Sequence, residues 1–319
     1  MKKIILFHFI LLICWQCTAS FPPKGIPDTG TYERKLDITV AGQKRNYLVH
    51  IPVNYDPGKR VPLVLILHGA FGTGRQIERQ SGFSKLSDRE GFLAVYPNGS
   101  FGLFGFFQHW NAGHCCGKAQ ADNIDDVGFL VQVIRDISSK LNVDSTRIYM
   151  VGFSNGGMLV YRFAAEQTNL LAAAAPMAAS LGGRASSHDS LWITPHPKGK
   201  LPLIIFHSED DPNVPYLGGI SPKKGGEREY LSVMESIDFW ITNNGCSKKF
   251  TEEQLYGNKV IHKVWPDSAG ENDIELYLLK EWGHKWPGGK FTKKLNKSNP
   301  LHQFDAAEII WEFFKKHHK

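Results

Sequence analysis

One five-residue segment constrains the fold of this chain more than any other. Residues 152–156 read Gly-Phe-Ser-Asn-Gly and directly follow the apolar run 147–151. A Gly-x-Ser-x-Gly segment between a strand and a helix is typical of a sharp turn that projects the serine hydroxyl from the end of a sheet. The glycines let strand and helix approach closely, because they lack a Cβ atom. The segment therefore predicts a strand-turn-helix unit with Ser154 as a candidate nucleophile.

The residues on both sides of this segment support the prediction. A polar turn at 143–146 precedes the strand, and residues 158–164 are helix formers without proline. The alternative is an ordinary strand-to-helix turn with no chemical role. A nucleophilic serine needs an acid and a base elsewhere in the chain. The presence of both would favour the nucleophile over the ordinary turn.

The first twenty residues have the pattern of an export signal. Two lysines precede a twelve-residue apolar stretch at 4–15, and small residues follow it. A membrane-spanning helix needs about 20 apolar residues, so this stretch is short for a span. We expect residues 1–20 to be a signal peptide cleaved after Ala19 or Ser20. The mature protein would then be a single domain at 21–319, secreted outside the cell or into the periplasm, with no membrane attachment. A short membrane anchor is the alternative.

Composition and charge indicate which classes of partner the chain can bind. The 319 residues are 42% hydrophobic and 12% aromatic, so the chain can bury a substantial core. The net charge is +6, but the lysines are scattered and no arginine-rich run occurs. We therefore expect no nucleic acid partner.

Three cysteines remain after removal of the leader: Cys115, Cys116 and Cys246. An oxidising compartment favours a disulfide between two of them. The predicted bridge joins Cys246 to one member of the adjacent pair, with a Cys115–Cys116 bridge as the alternative.

Apolar runs short enough for strands alternate with longer amphipathic stretches after an initial β-hairpin at 36–51. Strands are predicted at 61–67, 92–96, 147–151, 201–206, 260–265 and 274–279, and a run of small residues lies at 172–178. Helices are predicted at 76–89, 127–141, 230–242 and 306–316, and after the serine turn. This alternation indicates an α/β fold with a mostly parallel central sheet and helices on both faces.

In such sheets, functional side chains collect in the loops at the carboxyl ends of the strands. The strand at 201–206 leads into a polar turn with three carboxylates, Glu209, Asp210 and Asp211. The strand at 274–279 leads into a Gly- and Pro-rich loop with His284. A serine hydroxyl needs a base within hydrogen-bond reach, and His284 is the natural base. The residues alone leave the choice among the three carboxylates open.

Two further groups of candidate residues lie in loops. The segment 68–72, His-Gly-Ala-Phe-Gly, follows the strand at 61–67. In this position a loop commonly donates one oxyanion-hole N–H and the residue after the nucleophile donates the other. We expect the backbone N–H groups of Ala70 and Asn155 to do so; a plain Gly-rich turn is the alternative.

The stretch 101–110 carries five aromatic residues, among them Phe106, Phe107 and Trp110. Its glycines disfavour a regular strand or helix. We predict that some of these rings line the mouth of the site, bordered by Trp286 from the His284 loop. The alternative is an aromatic plug that packs over the edge of the sheet.

Taken together, the motifs resemble those of the secreted polyhydroxybutyrate-depolymerase-like esterases, relatives of the feruloyl and acetylxylan esterases of carbohydrate esterase family one. The resemblance runs from about Tyr47 to the last predicted helix. It rests on the segments 67–69, 96–99, 110–111, 115–117, 125–129, 152–157, 211–216, 283–284 and 286–289. It implies an α/β-hydrolase fold, a serine esterase that needs no cofactor, and a feruloyl, acetyl or hydroxyalkanoate ester, possibly polymeric, as substrate.

The resemblance also selects the acid. In the family pattern the acid immediately precedes the proline of the turn, which is Asp211 here. One departure is that Ser208 and Glu209 stand where the family usually has Gly-Thr, and this crowds carboxylates beside Asp211.

Three rival functions remain. A metal hydrolase could use residues between His109 and Asp126, but the adjacent cysteines lack zinc-ligand spacing, so no metal is expected. A catalytically inactive polymer- or carbohydrate-binding protein would use the aromatic stretch as its platform. A serine peptidase of the same fold would share the three catalytic residue types.

Overall fold

The structure is a computed structural model, and it describes residues 29–40, 43–100, 107–223, 227–270 and 273–319. The predicted signal peptide lies outside these residues. Within them, no helix is both long and apolar enough to cross a bilayer.

The described residues form fourteen strands and eight α-helices. The strands are β1 (Gly30–Val40), β2 (Gln43–Ile51), β3 (Val61–Leu67), β4 (Leu93–Pro97), β5 (Val143–Phe153), β6 (Ala173–Met177), β7 (Gly182–Arg184), β8 (Trp192–Ile193), β9 (Leu203–Ser208), β10 (Gly219–Ile220), β11 (Glu229–Tyr230), β12 (Thr251–Leu255), β13 (Val260–Trp265) and β14 (Ile274–Leu279). The helices are α1 (Gly74–Ser81), α2 (Phe83–Glu90), α3 (Gly117–Ala121), α4 (Asp126–Ser138), α5 (Asn155–Glu166), α6 (Val233–Asn244), α7 (Gly289–Thr292) and α8 (Ala306–Phe314).

Ten strands form one large sheet in the order β1-β2-β4-β3-β5-β6-β9-β14-β13-β12. The six central strands, from β4 to β14, pair in parallel. The strands beyond them pair antiparallel on both sides. The predicted mostly parallel sheet of an α/β-hydrolase fold is therefore confirmed, as is the N-terminal hairpin formed by β1 and β2.

Helices cover both faces of this sheet, as the alternation predicted. In β3, Leu63, Leu65 and Leu67 pack into one buried cluster with α4, α5 and α6. The intervening Val64 and Ile66 pack into a second cluster with α1, α2 and α8. Since successive strand residues point to opposite faces, a strand that is apolar at every position must be covered on both sides.

The structure differs from the predicted elements in several places. The strand β5 begins at Val143, so the polar turn predicted at 143–146 lies within the strand, and β12 was not predicted. The helix predicted at 76–89 is divided into α1 and α2 by Gly82, whose φ of 83° is left-handed and ends the first helix. A second sheet, in the order β10-β11-β7-β8, is formed by strands of two or three residues. Such short strands carry no recognisable alternation of polar and apolar residues, so the sequence pattern did not indicate them.

Candidate active site

Ser154 occupies a strained turn between β5 and α5. Its φ of 56° and ψ of −123° lie outside the regions that L-residues favour. The backbone holds it there: Ser154 N–H donates to the Met177 carbonyl at 2.8 Å, and Met158 N–H donates to the Ser154 carbonyl at 2.9 Å. A Cβ atom at Gly156 would lie 2.5 Å from the His68 carbonyl oxygen, so only glycine fits. The predicted strand-turn-helix unit is confirmed.

The structure brings Ser154, His284 and Asp211 into one hydrogen-bonded chain. His284 Nε2 lies 2.8 Å from Ser154 Oγ, and His284 Nδ1 lies 2.7 Å from Asp211 Oδ2. The three residues follow the carboxyl ends of β5, β9 and β14. In the sheet, β9 and β14 are neighbours and β6 lies between β5 and β9, so the three ends lie close together. The Asp211 side chain is fully buried, whereas 12% of the His284 side chain is exposed.

The surroundings of Asp211 favour its ionised form. Its Oδ1 accepts hydrogen bonds from the N–H groups of Asn213 at 2.8 Å and Val214 at 3.0 Å. Burial alone would raise the pKa of Asp211, but the hydrogen bond and charge of His284, with lesser contributions from His207 and Val214, lower it below the usual value. A carboxylate at this position accepts the Nδ1–H of His284, and this leaves the Nε2 lone pair facing the Ser154 hydroxyl.

The two neighbouring carboxylates have other positions. Glu209 is exposed. Asp210 Oδ1 accepts hydrogen bonds from Ser208 Oγ at 2.6 Å and from the N–H groups of Trp282 at 3.1 Å and Gly283 at 3.0 Å. Burial raises the pKa of Asp210, but these bonds outweigh it and lower the pKa. Through these hydrogen bonds, Asp210 connects the end of β9 to the loop immediately before His284.

The loop after β3 brings Ala70 to the same site. Phe71 N–H donates to the Gln108 carbonyl at 2.8 Å and Gly72 N–H donates to the Gly69 carbonyl at 3.1 Å. The N–H of Ala70 has no hydrogen-bond partner within the described part of the chain. Asn155 N–H lies in the first turn of α5, where helix donors have no partner inside the helix. Ala70, Asn155 and Ser154 all line one cleft.

His68 supports this loop as a neutral imidazole. Its Nδ1–H donates to the Gly69 carbonyl at 2.7 Å, and its Nε2 accepts the Gly99 N–H at 3.0 Å. A ring nitrogen that accepts a hydrogen bond carries no proton, so these two bonds define the tautomer. The ring is buried, and burial lowers the pKa of His68 to about 4.

Trp110, predicted to bind substrate, is buried instead. None of its side chain is exposed, and its Nε1–H donates to the His68 carbonyl at 2.9 Å. Its backbone N–H donates to Asn155 Oδ1 at 2.8 Å, and its carbonyl accepts a hydrogen bond from Asn155 Nδ2 at 3.0 Å. Trp110 therefore connects the loop after β3 to the start of α5, and the prediction that it contacts substrate is wrong.

The predicted role of Trp286 at the mouth is wrong for the same reason. Only 1% of the residue is exposed. Its ring packs against Phe83 and Phe153, with ring centroids 6.3 and 6.4 Å apart. Its position in the sequence, two residues from His284, did not reveal that the ring turns into the core.

One exposed aromatic ring, that of Phe71, lines the cleft, and the exposed ring of Phe107 packs against it. Phe107 is 56% exposed and Phe71 58% exposed, and the two rings meet edge to face with centroids 6.5 Å apart. Both residues have left-handed backbones, with φ near 60°. Phe71 lines the cleft, although it was not among the predicted binding residues. Phe106 lies outside the described residues, as do Phe101 and Phe104.

The predicted disulfide to Cys246 is also wrong, and the alternative is found: Cys115 and Cys116 are bonded to each other. Cys246 is a half-buried thiol, and burial raises its pKa to about 11. The residue after it bonds to Pro266, beside the start of β14, whereas the cysteine pair lines the cleft at the carboxyl ends of the strands. A six-residue strand separates these ends by about 20 Å, too far for a disulfide.

The triad cleft has a volume of about 360 Å³. Its wall is largely apolar, with Phe153, Met158, Val214, Tyr230 and the disulfide, and it includes Arg228. A larger cavity of about 880 Å³ lies at the opposite edge of the sheet, near the chain's last residues, and none of the three triad residues lines it. Ser154 therefore faces the smaller cleft and not the larger cavity.

Residues 46–192 match the family described as "Esterase PHB depolymerase". The chain is therefore related to the esterase PHB depolymerases, as its motifs predicted. It is 28% identical over 253 residues to "Feruloyl esterase B" of Piromyces equi, which covers 77% of this chain and 44% of that protein. It is 26% identical over 272 residues to "Putative esterase NocK" of Nocardia uniformis subsp. tsuyamanensis, covering 80% of this chain and 74% of that protein.

Among solved structures, "Acetyl xylan esterase from Aspergillus awamori" superposes with a TM-score of 0.58 at 15% identity. The match covers 89% of this chain and 99% of that one. At this identity the likeness shows the shared α/β-hydrolase fold. This chain spans less than half the length of feruloyl esterase B.

Proposed function

We propose that this protein is a serine esterase that hydrolyses carboxylic esters through Ser154, His284 and Asp211. The observation that carries the proposal is the unbroken chain of hydrogen bonds from Ser154 Oγ through both nitrogens of His284 to the buried Asp211 carboxylate. The proposed reaction needs a hydroxyl at an accessible turn, a base within hydrogen-bond reach and a carboxylate that orients the base, and these three residues would supply them.

In the first half of the reaction, Ser154 Oγ attacks the ester carbonyl carbon while His284 Nε2 takes the hydroxyl proton. The backbone N–H groups of Ala70 and Asn155 donate to the oxyanion that forms on the carbonyl oxygen. The intermediate then collapses, the carbon–oxygen bond to the alcohol breaks, and the alcohol leaves with the proton from His284. The acyl group remains esterified to Ser154.

In the second half, water attacks the acyl-enzyme and gives a proton to His284. Collapse of the second intermediate releases the carboxylic acid, and the proton returns to Ser154. The Asp211 carboxylate stabilises the imidazolium of His284 in both halves without taking its proton. The reaction uses no cofactor.

We further propose that the substrate is a feruloyl, acetyl or hydroxyalkanoate ester, and that the protein is exported after loss of residues 1–20. The support for the substrate class is the largely apolar cleft, with the exposed rings of Phe71 and Phe107 beside it, together with the family match. Flat aromatic walls suit either an aromatic acyl group or a chain of a polymer.

A comparison of hydrolysis rates tests this proposal. Purified protein would be given methyl ferulate, 4-nitrophenyl acetate and a hydroxybutyrate oligomer, with Ser154→Ala as the matched blank. We expect hydrolysis of at least one ester well above the blank. Equal rates for the two proteins on all three esters would contradict the esterase proposal and favour the inactive binding protein.

A further inference from the structure

Arg228 places a guanidinium group in the wall of the catalytic cleft. It immediately precedes β11 and lines the cleft together with Ser154 and His284. Its Nη1 lies 3.6 Å from Cys115 Sγ and 3.5 Å from Cys116 Sγ. Cys115 Sγ is in turn 3.7 Å from the side-chain amide of Asn155, the neighbour of Ser154. The disulfide therefore lies between the guanidinium and the turn that carries Ser154, and it contacts both.

No carboxylate compensates this charge within the described residues. None lies within ion-pair distance of Arg228, and none lines the cleft. The guanidinium contacts disulfide sulfurs, which are weak acceptors, and its positive charge acts on the neighbouring Tyr230. Its Nε is buried and has no hydrogen-bond partner in the described part of the chain. A half-buried guanidinium with unused donors favours an anionic ligand, because its desolvation is otherwise uncompensated.

We propose that Arg228 binds a carboxylate carried by the substrate, so that the cleft selects esters with a free acid group. This rests on the proposed esterase function and deepens it by naming a substrate class. Arginine suits the role because its planar donors match the two oxygens of a carboxylate. Of the three ester types proposed above, only a hydroxyalkanoate oligomer carries such an acid, at its free end. A half-ester of a short dicarboxylic acid belongs to the same chemical class.

Two matched pairs of substrates test the proposal. Mono-4-nitrophenyl glutarate and 4-nitrophenyl pentanoate differ in whether the acyl chain ends in a carboxylate or a methyl group. The hydroxybutyrate dimer and its methyl ester make the same comparison on the alcohol side. We expect wild-type protein to prefer the acid in at least one pair at constant pH and ionic strength.

Arg228→Gln should lower kcat/KM for the preferred acid by about tenfold or more and change the neutral partner by less than about twofold. Arg228→Lys keeps the charge but not the planar donors. Its kcat/KM for the acid should therefore lie between those of wild-type protein and Arg228→Gln. The matched control is Arg184→Gln, since Arg184 on the adjacent β7 is paired with Glu229 at 2.9 Å and does not line the cleft. That control should change neither rate.

The proposal is overturned if wild-type protein shows no preference for the acid in either pair, or if Arg228→Gln lowers acid and neutral rates by the same factor. A failure of the esterase proposal looks different, because wild-type protein would then hydrolyse none of the four esters. Calorimetric titration of monomethyl glutarate into Ser154→Ala, with and without Arg228→Gln, measures carboxylate binding without turnover. Loss of measurable binding in the double variant is expected, and equal binding to both proteins would overturn the proposal.

Discussion

The loops that carry the triad and the segments that form the cleft wall are held in different ways. Ser154, Asp211 and His284 each follow a buried strand of the parallel sheet, and backbone hydrogen bonds fix the turns at Ser154 and Asp211. The wall around Phe107, the disulfide and Arg228 has irregular backbone or belongs to the small sheet of two- and three-residue strands. Its attachment to the sheet includes side-chain contacts, such as those of Arg228 and Asn155 with the disulfide.

This difference teaches where substitutions should act. The triad positions are set by the same strands that form the core, so conservative changes there should alter the reaction while leaving the fold intact. The wall is attached to that framework, so changes there should alter the choice of substrate. Substitutions in the two regions test this division, and those in the triad should have the largest effects.

Ser154→Ala and His284→Ala should each lower kcat by about 10⁴-fold or more, and the double variant should be little worse than either one, because the pair acts as a unit. Steady-state kinetics on one ester measure all three. Additive losses in the double variant would contradict the proposal that the two side chains act together. Unchanged thermal unfolding of both single variants is the control for folding.

Asp211→Asn should lower kcat by about 10⁴-fold, because an amide cannot stabilise the imidazolium and would hold His284 in the wrong tautomer. Asp210→Asn is the matched control, since its amide oxygen can still accept hydrogen bonds from the loop before His284. It should lower kcat by about tenfold at most, through weaker positioning of His284. The reverse result, a severe Asp210 variant and a mild Asp211 variant, would show that the wrong acid was chosen.

The neutral His68 connects the two regions and should make stability depend on pH. Its pKa is about 4 in the folded protein and about 6.5 in the unfolded chain, so the unfolded chain binds the extra proton between these values. The free energy of unfolding should therefore fall as pH decreases from 6.5 to 4, with about 3 kcal/mol from His68.

Urea unfolding at several pH values measures this slope. His68→Gln should be less stable at pH 7 but should lose less stability between pH 6.5 and 4. Burial also lowers the pKa values of His114 and His207, so both contribute to the slope in the same pH range. The lowered pKa values of Asp210 and Asp211 act mainly at lower pH, because carboxylates in the unfolded chain begin to titrate at about pH 5. An identical slope in wild-type protein and His68→Gln would show that His68 is not the group responsible.

Phe71→Ala and Phe107→Ala should have the smallest effects. Each should raise KM for an aromatic ester by about threefold to tenfold and leave KM for an acetate ester nearly unchanged. Both side chains are more than half exposed, so thermal stability should hardly change. Equal effects on the two esters, or a loss of folding, would make these rings packing elements rather than part of a binding surface.

The framework of the site could be predicted from sequence because it follows from strand order. Ser154, the polar turn containing Asp211 and the loop containing His284 each come directly after an apolar strand, and parallel strands end at one edge of the sheet. The strands β13 and β14 have the predicted bounds for the same reason. The choice of Asp211 among three carboxylates required the family pattern, since all three lie in one short turn.

The wall could not be predicted because side-chain direction in irregular segments has no periodicity. Trp286 is two residues from His284 and Trp110 ends the aromatic stretch 101–110, yet both rings point into the core. Phe71 was overlooked although it adjoins Ala70. The cysteine pairing depends on which end of the sheet each thiol lies near. Composition and cysteine spacing give no information about that position.

The central claim is that Ser154 is the nucleophile of an esterase, and covalent labelling tests it most directly. The protein would be incubated with a fluorophosphonate, digested, and analysed by mass spectrometry while residual hydrolysis is measured in parallel. We predict one adduct per chain, on the peptide containing Ser154, with activity lost in proportion to labelling and no adduct in Ser154→Ala. Hydrolysis that survives complete modification of Ser154, or an inactivating adduct on a different residue, would contradict the account.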